Sequence, residues 1–230
     1  MSNPLSLYIY RFSEDKVLDP QSFLDQDELL AYSKMGADKR RSEFLHGRFL
    51  IKSVLSNFHG LKKISIKKNS NGKPFVKGLK FNLSHSQDYL VLAVSKDHDV
   101  GVDIEMSGDK KFFKKVAEQY FSVTENKYIS SASSPALQQK RFKNLWCLKE
   151  AYIKAMSGKL STHALKISFD LKNNRLENVP TKKPVQFFLN KKMNLAVCAV
   201  GKSSLHVHTL KLTKNHKLQV QDSSIKFIQI

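Results

Sequence analysis

The chain has 230 residues and a formal net charge of +19, from 39 Lys and Arg against 20 Asp and Glu. A hydrophobic fraction of 41% with 10% aromatic residues can form a buried core, which excludes global disorder. No run of about 18 apolar residues and no secretory signal is visible, and Cys147 and Cys198 suggest neither a zinc site nor a disulfide framework. We therefore expect a cytoplasmic protein whose basic surface attracts nucleic acid, an acidic protein or a phosphate-rich small molecule.

The first half of the chain predicts one strand, two helices and then a series of short strands. The alternating segment SLYIYRF predicts a strand at 6–12, and apolar spacing predicts helices at 21–35 and 40–58. Further strands are expected at 64–68, 79–86, 89–95 and 99–105, separated by short polar turns.

The second half predicts three helices followed by strands. The helices are expected at 110–121, 123–131 and 136–156, and the strands at 166–171, 185–190, 193–200 and 205–210. The last twenty residues are compatible with a strand or a tail. Because strands, helices and strands recur in this order, we expect an α+β fold with two similar α/β halves, 1–105 and 106–230.

The segment VGVDIE places two acids on one side of a strand. Side chains alternate along a strand, so Asp103 and Glu105 face one way and the valines and isoleucine face the other. Magnesium often takes one or two carboxylates together with substrate phosphates, and two such acids are a candidate site for it. A strand with one wet face explains the same alternation.

A second candidate lies in the helical segment WCLKEAYIKA. Trp146, Glu150 and Lys154 recur every four residues and share one face of the helix. Glu150 can bind a metal or accept a proton, and Lys154 can bind a phosphate as a point charge. A Glu–Lys pair on the helix surface is the alternative explanation.

Three shorter segments carry further candidates. FNLSHSQDY contains Ser84 and His85, which point to opposite faces of a strand and cannot easily form a catalytic pair. NGKPF places Lys73 and Pro74 on a turn, and Arg48 lies on a basic helix. His85, Lys73 and Arg48 can contact a phosphate or another ligand, although a structural histidine, a solvent-exposed turn and a basic surface explain them as well.

The order of the motifs resembles that of the surfactin-type 4′-phosphopantetheinyl transferase family. The resemblance rests on five segments: GKP (72–74), FNLSHS (81–86), VGVDIE (100–105), FSVTE (121–125) and WCLKEAYIKA (146–155). One departure is the turn SGKLS at 157–161, where Lys159 stands in place of a second glycine. The first 38 residues contain none of these motifs.

This resemblance implies a monomer with its active site in a cleft between two similar halves. The implied enzyme transfers phosphopantetheine from coenzyme A to an apo acyl or peptidyl carrier protein of acidic character, and it releases 3′,5′-ADP. Magnesium would be held by Asp103, Glu105 and Glu150, with Glu150 and Lys154 as the catalytic residues. The coenzyme A contacts implied by the resemblance are Arg48, Lys73, Pro74, Ser84, His85 and Lys154.

One further residue and two rival functions remain open at this point. Glu125 in FSVTE is either an extra metal ligand or the capping-box partner of Ser122. A basic nucleic-acid-binding protein explains the net charge equally well, but it leaves the acids Asp103, Glu105 and Glu150 unexplained. A non-catalytic relative that acts as a binding partner is the second rival. Under the resemblance we expect neither a nucleic acid nor a membrane as partner.

Overall fold

A computed structural model of the chain describes residues 3–12, 18–107, 113–159, 163–221 and 224–230. The α-helices in these residues are α1 (Gln26–Ser33), α2 (Asp38–Asn57), α3 (Phe113–Tyr120), α4 (Val123–Ser130) and α5 (Pro135–Ala155). Each was predicted, but α1 is shorter than predicted because Asp25 caps its first turn. The first residues of the predicted helix 110–121, before Phe113, lie outside the described residues. None of the described helices is both long and apolar enough to cross a membrane.

The described strands include all those expected from the sequence; the limits of 89–95 and 185–190 are as predicted, and the others differ. The described strands are β1 (Leu5–Arg11), β2 (Lys67–Lys68), β3 (Pro74–Phe75), β4 (Lys80–Ser86), β5 (Tyr89–Ser95), β6 (Asp99–Ile104), β7 (Ser168–Asp170), β8 (Arg175–Asn178), β9 (Val185–Asn190), β10 (Leu195–Val200), β11 (Leu205–Leu212), β12 (Leu218–Gln221) and β13 (Ile228–Gln229). The prediction at 64–68 was correct for two residues only, and neither β3 nor β8 was predicted; Pro74, expected on a turn, begins β3. Within the last twenty residues, β12 and β13 are strands.

Two large sheets, each covered by one long helix, form the centre of the fold, and β2-β3 and β7-β8 form two further two-stranded sheets. The first sheet has the order β12-β11-β1-β5-β4, and its core packs against α2. The second has the order β13-β9-β10-β6, and its core packs against α5. A third apolar cluster lies between the sheets and contains the alternate residues of β1, such as Leu7 and Ile9. The predicted α+β fold with two α/β halves is therefore confirmed.

The two halves meet at an edge of each sheet. Strand β4 ends the first sheet and β6 ends the second. The division of the chain at residue 105 stays a prediction. Strand pairing crosses this point twice, because β11 pairs with β1 and β10 pairs with β6.

Candidate active site

Helix α5 lies directly on strand β6, and a glycine makes this close approach possible. A Cβ atom on Gly101 would stand 1.9 Å from the carbonyl oxygen of Ala151 and 2.5 Å from the backbone nitrogen of Ala155. Because the helix backbone occupies the space of a side chain, the second position of VGVDIE requires glycine. This contact brings the charged face of α5 to the part of β6 that carries Asp103.

An ion pair between Asp103 and Lys154 joins β6 to α5. The Lys154 ammonium lies 2.7 Å from Oδ1 of Asp103, and it donates to the Ser84 hydroxyl and the Val102 carbonyl at 3.3 Å each. The Ser84 hydroxyl donates to the same Asp103 oxygen at 3.0 Å. Lys154 thus neutralises a buried carboxylate on the neighbouring strand, which is more than a surface Glu–Lys pair within the helix would do.

Strand β4 contacts β6 through its side chains. Three alternate residues of β4 accept hydrogen bonds from backbone N–H groups of β6 and the residues just beyond it: Asn82 from Val102 at 2.9 Å, Ser84 from Ile104 at 3.4 Å, and Ser86 from Met106 at 2.8 Å. Alternation along β4 places these three side chains on one face. The FNLSHS motif therefore joins the two sheets beside Asp103, a role for Asn82 and Ser86 that the sequence reasoning missed.

His85 lies on the other face of β4. Its Nε2 atom is 3.1 Å from Oε2 of Glu43 on α2, and about half of its side chain is exposed. The expectation that Ser84 and His85 point in opposite directions is confirmed, because Ser84 is buried against Asp103.

Lys73 connects the β2–β3 hairpin to the end of α5. Its ammonium donates to the carbonyl oxygens of Val100 at 3.0 Å, Lys154 at 2.6 Å and Ala155 at 3.2 Å. Burial lowers the pKa of Lys73. A lysine among the last carbonyls of a helix satisfies acceptors that have no partner within the helix. The contacts thus hold the hairpin, with Pro74 at the start of β3, against the end of α5.

Arg48 belongs to an ion cluster between α1 and α2. Its Nε atom lies 3.1 Å from Oε1 of Glu28, and its guanidinium is 5.1 Å from the centre of the Phe44 ring. Lys52 forms a second ion pair with Glu28. Burial lowers the pKa of Arg48, and the charge of Glu28 opposes this shift.

Glu105 follows β6 directly and lies on the same side as Asp103. The Ser107 hydroxyl donates to Oε1 of Glu105. Burial raises the pKa of the Cys147 thiol on α5, and the charges of Asp103 and Glu105 raise it further. Sequence reasoning missed Cys147, although its place three residues before Glu150 puts it on the same helix face.

The donor chemistry around Asp103 fits magnesium. Asp103, Glu105 and Glu150 offer carboxylate oxygens, the ligand type that this ion prefers. Within the described ranges, no three His, Cys, Asp or Glu side chains form a ready-made metal cluster. Magnesium usually completes its shell with water and substrate phosphates, so the two acids of VGVDIE can suffice. The set of three ligands stays a prediction.

Glu125 forms the capping box of α4. Its carboxylate accepts from the N–H of Ser122 at 2.7 Å, and the Ser122 hydroxyl accepts from the N–H of Glu125 at 3.2 Å. The side chain is fully buried and forms a 2.9 Å ion pair with Lys149, which is also fully buried. Burial raises the pKa of Glu125 and lowers that of Lys149, while each charge opposes the other's shift. The capping-box alternative is confirmed.

A cavity of about 370 Å³ lies between the β2–β3 hairpin, β4 and α5. Its walls include Lys73, Pro74, Asn82, Glu150 and Lys154, four of which were predicted as site residues. This volume lies within the range of small-molecule sites, about 300–1,000 Å³. The structure therefore brings the GKP and WCLKEAYIKA motifs to one cavity, and the Asp103–Lys154 pair lies beside it.

Comparison with known proteins matches this region of the chain. Residues 99–218, slightly more than half of the chain, match the family model of the 4′-phosphopantetheinyl transferase superfamily. The chain is 31% identical over 150 residues to the 4′-phosphopantetheinyl transferase HetI of Nostoc sp. The aligned region covers 62% of this chain and 63% of that protein. Identity to the 4′-phosphopantetheinyl transferase gsp of Aneurinibacillus migulanus is 40% over 116 residues, or 49% of this chain and 47% of that protein. Identity to a 4′-phosphopantetheinyl transferase of Bacillus subtilis is 31% over 170 residues, or 67% and 73%. The chain thus spans between 47% and 63% of the first two relatives' lengths.

Proposed function

The chain belongs to the 4′-phosphopantetheinyl transferase superfamily, and from this membership we propose that it transfers the phosphopantetheine arm of coenzyme A to a serine of an apo acyl or peptidyl carrier protein. The observation that carries the proposal is the ion pair between buried Asp103 and half-buried Lys154, beside a cavity lined by Glu150. A nucleic-acid-binding surface does not require a buried carboxylate, because acids repel phosphates unless a cation intervenes. Nothing in the comparisons favours that alternative.

The proposed reaction forms one phosphorus–oxygen bond and breaks another. The carrier serine oxygen attacks the β-phosphorus of coenzyme A, the bond to the bridging oxygen breaks, and 3′,5′-ADP leaves with the electron pair. The serine proton passes to Glu150, directly or through a water molecule. Such transfers depend on positioning and on neutralisation of charge at the phosphate oxygens.

The residues around Asp103 supply this positioning and charge. Lys154 places a cation at the wall of the cavity, where it can contact the pyrophosphate. When bound, magnesium would neutralise charge on the pyrophosphate oxygens, and Asp103, Glu105 and Glu150 are the residues that would hold it. Gly101 contributes indirectly, because it allows α5 to carry Glu150 and Lys154 close to β6.

We assign the nucleotide end of coenzyme A to the cavity and to two basic residues outside it, His85 and Arg48. Lys73 and Ser84 act chiefly by holding α5 and Asp103, since their polar atoms are bonded to the protein, and Pro74 forms part of the cavity wall. His85 and Arg48 each pair with a glutamate, so either would bind a phosphate by exchanging that partner.

Charge and chain organisation support the remaining parts of the proposal. A net charge of +19 speeds the encounter with polyanionic coenzyme A and with an acidic carrier, and salt should weaken this effect. The resemblance to the family implies a monomer, and we propose that state for this chain. Cys147 and Cys198 are unpaired, which supports a reducing, cytoplasmic location.

Intact-mass measurement on carrier proteins tests the proposed function. The protein is incubated with coenzyme A, magnesium and several apo carriers from fatty acid, polyketide and peptide pathways. We expect one phosphopantetheine to be added to at least one carrier, and no addition by Asp103→Ala. A folded wild-type protein that modifies no carrier of a broad panel would contradict the proposal.

A further inference from the structure

The turn before strand β10 forms hydrogen bonds with Glu105, the residue that directly follows strand β6. We propose that Asn194 is a positioning residue, whose side-chain amide fixes the backbone of Glu105 and so orients that carboxylate toward the cation expected beside Asp103. This inference rests on the proposed function, and it assigns a role outside the five motifs from which that function was recognised.

The contact between Asn194 and Glu105 continues the strand pairing in an altered form. The regular pairing of β10 with β6 ends at Leu195 and Ile104. One step further, the N–H of Glu105 donates to the carbonyl oxygen of Asn194 at 3.0 Å, and Nδ2 of Asn194 donates to the carbonyl oxygen of Glu105 at 3.1 Å. Residues in such a pair normally exchange two backbone hydrogen bonds. Here the side-chain amide replaces one backbone donor.

The backbone conformation of Asn194 explains this replacement. Its φ is 45°, in the left-handed region, where the backbone departs from the strand direction. Asparagine tolerates this region better than most residues. The turn therefore leaves the strand, and the side chain still reaches the Glu105 carbonyl.

The same residue also contacts helix α5. The Cys147 thiol of α5 donates to the carbonyl oxygen of Asn194 at 3.0 Å. Asn194 thus connects the end of β6 to the helix that carries Glu150. A shift of Asn194 would therefore move both the residue after β6, Glu105, and the helix that carries Glu150.

Stability alone does not explain an asparagine at this position. Its Oδ1 atom is buried and has no hydrogen-bond partner among the described residues, which is unfavourable. Glycine suits the left-handed conformation and carries no such acceptor. What glycine lacks is the donor to Glu105, so this donor is the feature to which we assign the role.

The test compares Asn194→Gly with the matched variant Asn174→Gly. Asn174 also has a left-handed φ, 49°, and lies in the turn between β7 and β8. Three quantities are measured on the full chain: Mn²⁺ affinity by electron paramagnetic resonance, hydrogen exchange of the Glu105 amide, and the melting temperature. We expect Asn194→Gly, but not Asn174→Gly, to bind Mn²⁺ about tenfold more weakly than the wild type. A loss of this size is typical when a residue that is hydrogen-bonded to a metal ligand is replaced. It should also exchange the Glu105 amide faster, with a melting temperature close to that of Asn174→Gly.

The possible results distinguish a positioning role of Asn194 from a role in folding alone and from failure of the proposed function. Equal Mn²⁺ affinity in the two variants would overturn the positioning role while carrier modification by the wild type still supported the proposed function. A loss of affinity that only accompanies a lower melting temperature would assign Asn194 to folding and also overturn the inference. A wild-type protein that modifies no carrier would overturn the proposed function, and the inference with it.

Discussion

Replacement of Gly101 by alanine tests how closely α5 must approach β6. The new Cβ would lie 1.9 Å from the carbonyl oxygen of Ala151, and contacts below 3.0 Å essentially never occur, so the helix must retreat by about 1.1 Å. Overpacking of this kind lowers the free energy of unfolding by about 1–3 kcal/mol. Glu150 and Lys154 move with the helix and away from Asp103, and a misplacement of about 1 Å can lower the rate by about 100-fold.

The assay measures the rate of carrier modification and the free energy of unfolding for the same preparations. Gly36→Ala is the control, since a Cβ on Gly36 meets no atom within 4 Å and the residue does not have a left-handed φ. We expect Gly36→Ala to match the wild type in both quantities. Gly101→Ala should remain folded but lose most of its turnover at saturating coenzyme A.

Two results would refute this reasoning. Turnover in Gly101→Ala equal to that in Gly36→Ala would mean that the spacing between α5 and β6 does not set the reaction geometry. Loss of stability without loss of turnover would mean that the helix adapts locally and leaves Asp103 and Lys154 in contact.

Three further predictions concern charged and titratable groups. Lys154→Ala should lower turnover by about tenfold or more, roughly 1.4 kcal/mol of transition-state stabilisation. Replacement of the exposed Lys159 by alanine is the control and should leave turnover unchanged. Equal, small effects on the rate in both variants would show that Lys154 takes no part in the reaction. Lys73→Met should lower the free energy of unfolding in urea by about 1–3 kcal/mol, because three carbonyl oxygens lose a donor; unchanged stability would show that these contacts contribute little. Burial lowers the pKa of His46 to about 4 from an ordinary 6.5, so the folded protein resists its protonation and stability should fall as pH drops from 6.5 toward 4. That fall amounts to about 3 kcal/mol in total. His46→Phe should flatten it in urea unfolding at a series of pH values, and an unchanged slope would contradict this assignment.

The periodicities of strands and helices explain how the sequence alone could group the candidate site residues. Alternation along a strand placed Asp103 and Glu105 on one side, and the spacing of four residues placed Glu150 and Lys154 on one helix face. Both rules depend only on local geometry. The same local rules also predicted every described α-helix. The two-residue strands β2 and β3 were poorly bounded or missed, because they contain too few residues for a period to show.

The hydrogen-bond and ion-pair partners of polar side chains could not be predicted in this way. Lys73, Ser84 and Arg48 were assigned to coenzyme A from their residue types and motifs. In the fold, their polar atoms contact a helix end, Asp103 and Glu28, respectively. A polar side chain bonds to whichever partner the fold places within hydrogen-bond distance. Which partner that is depends on elements that are far away along the chain.

The sequence by itself determined which residues could perform the chemistry, because residue type and local period are properties of short segments. Only the tertiary structure decided how they meet: Gly101 admits α5 onto β6, Lys154 then pairs with Asp103, and Asn194 holds Glu105 from 89 positions away along the chain. These contacts arise from the packing of one sheet edge, one helix and one turn. No local pattern records such packing, because the contact partners are separated by tens of residues.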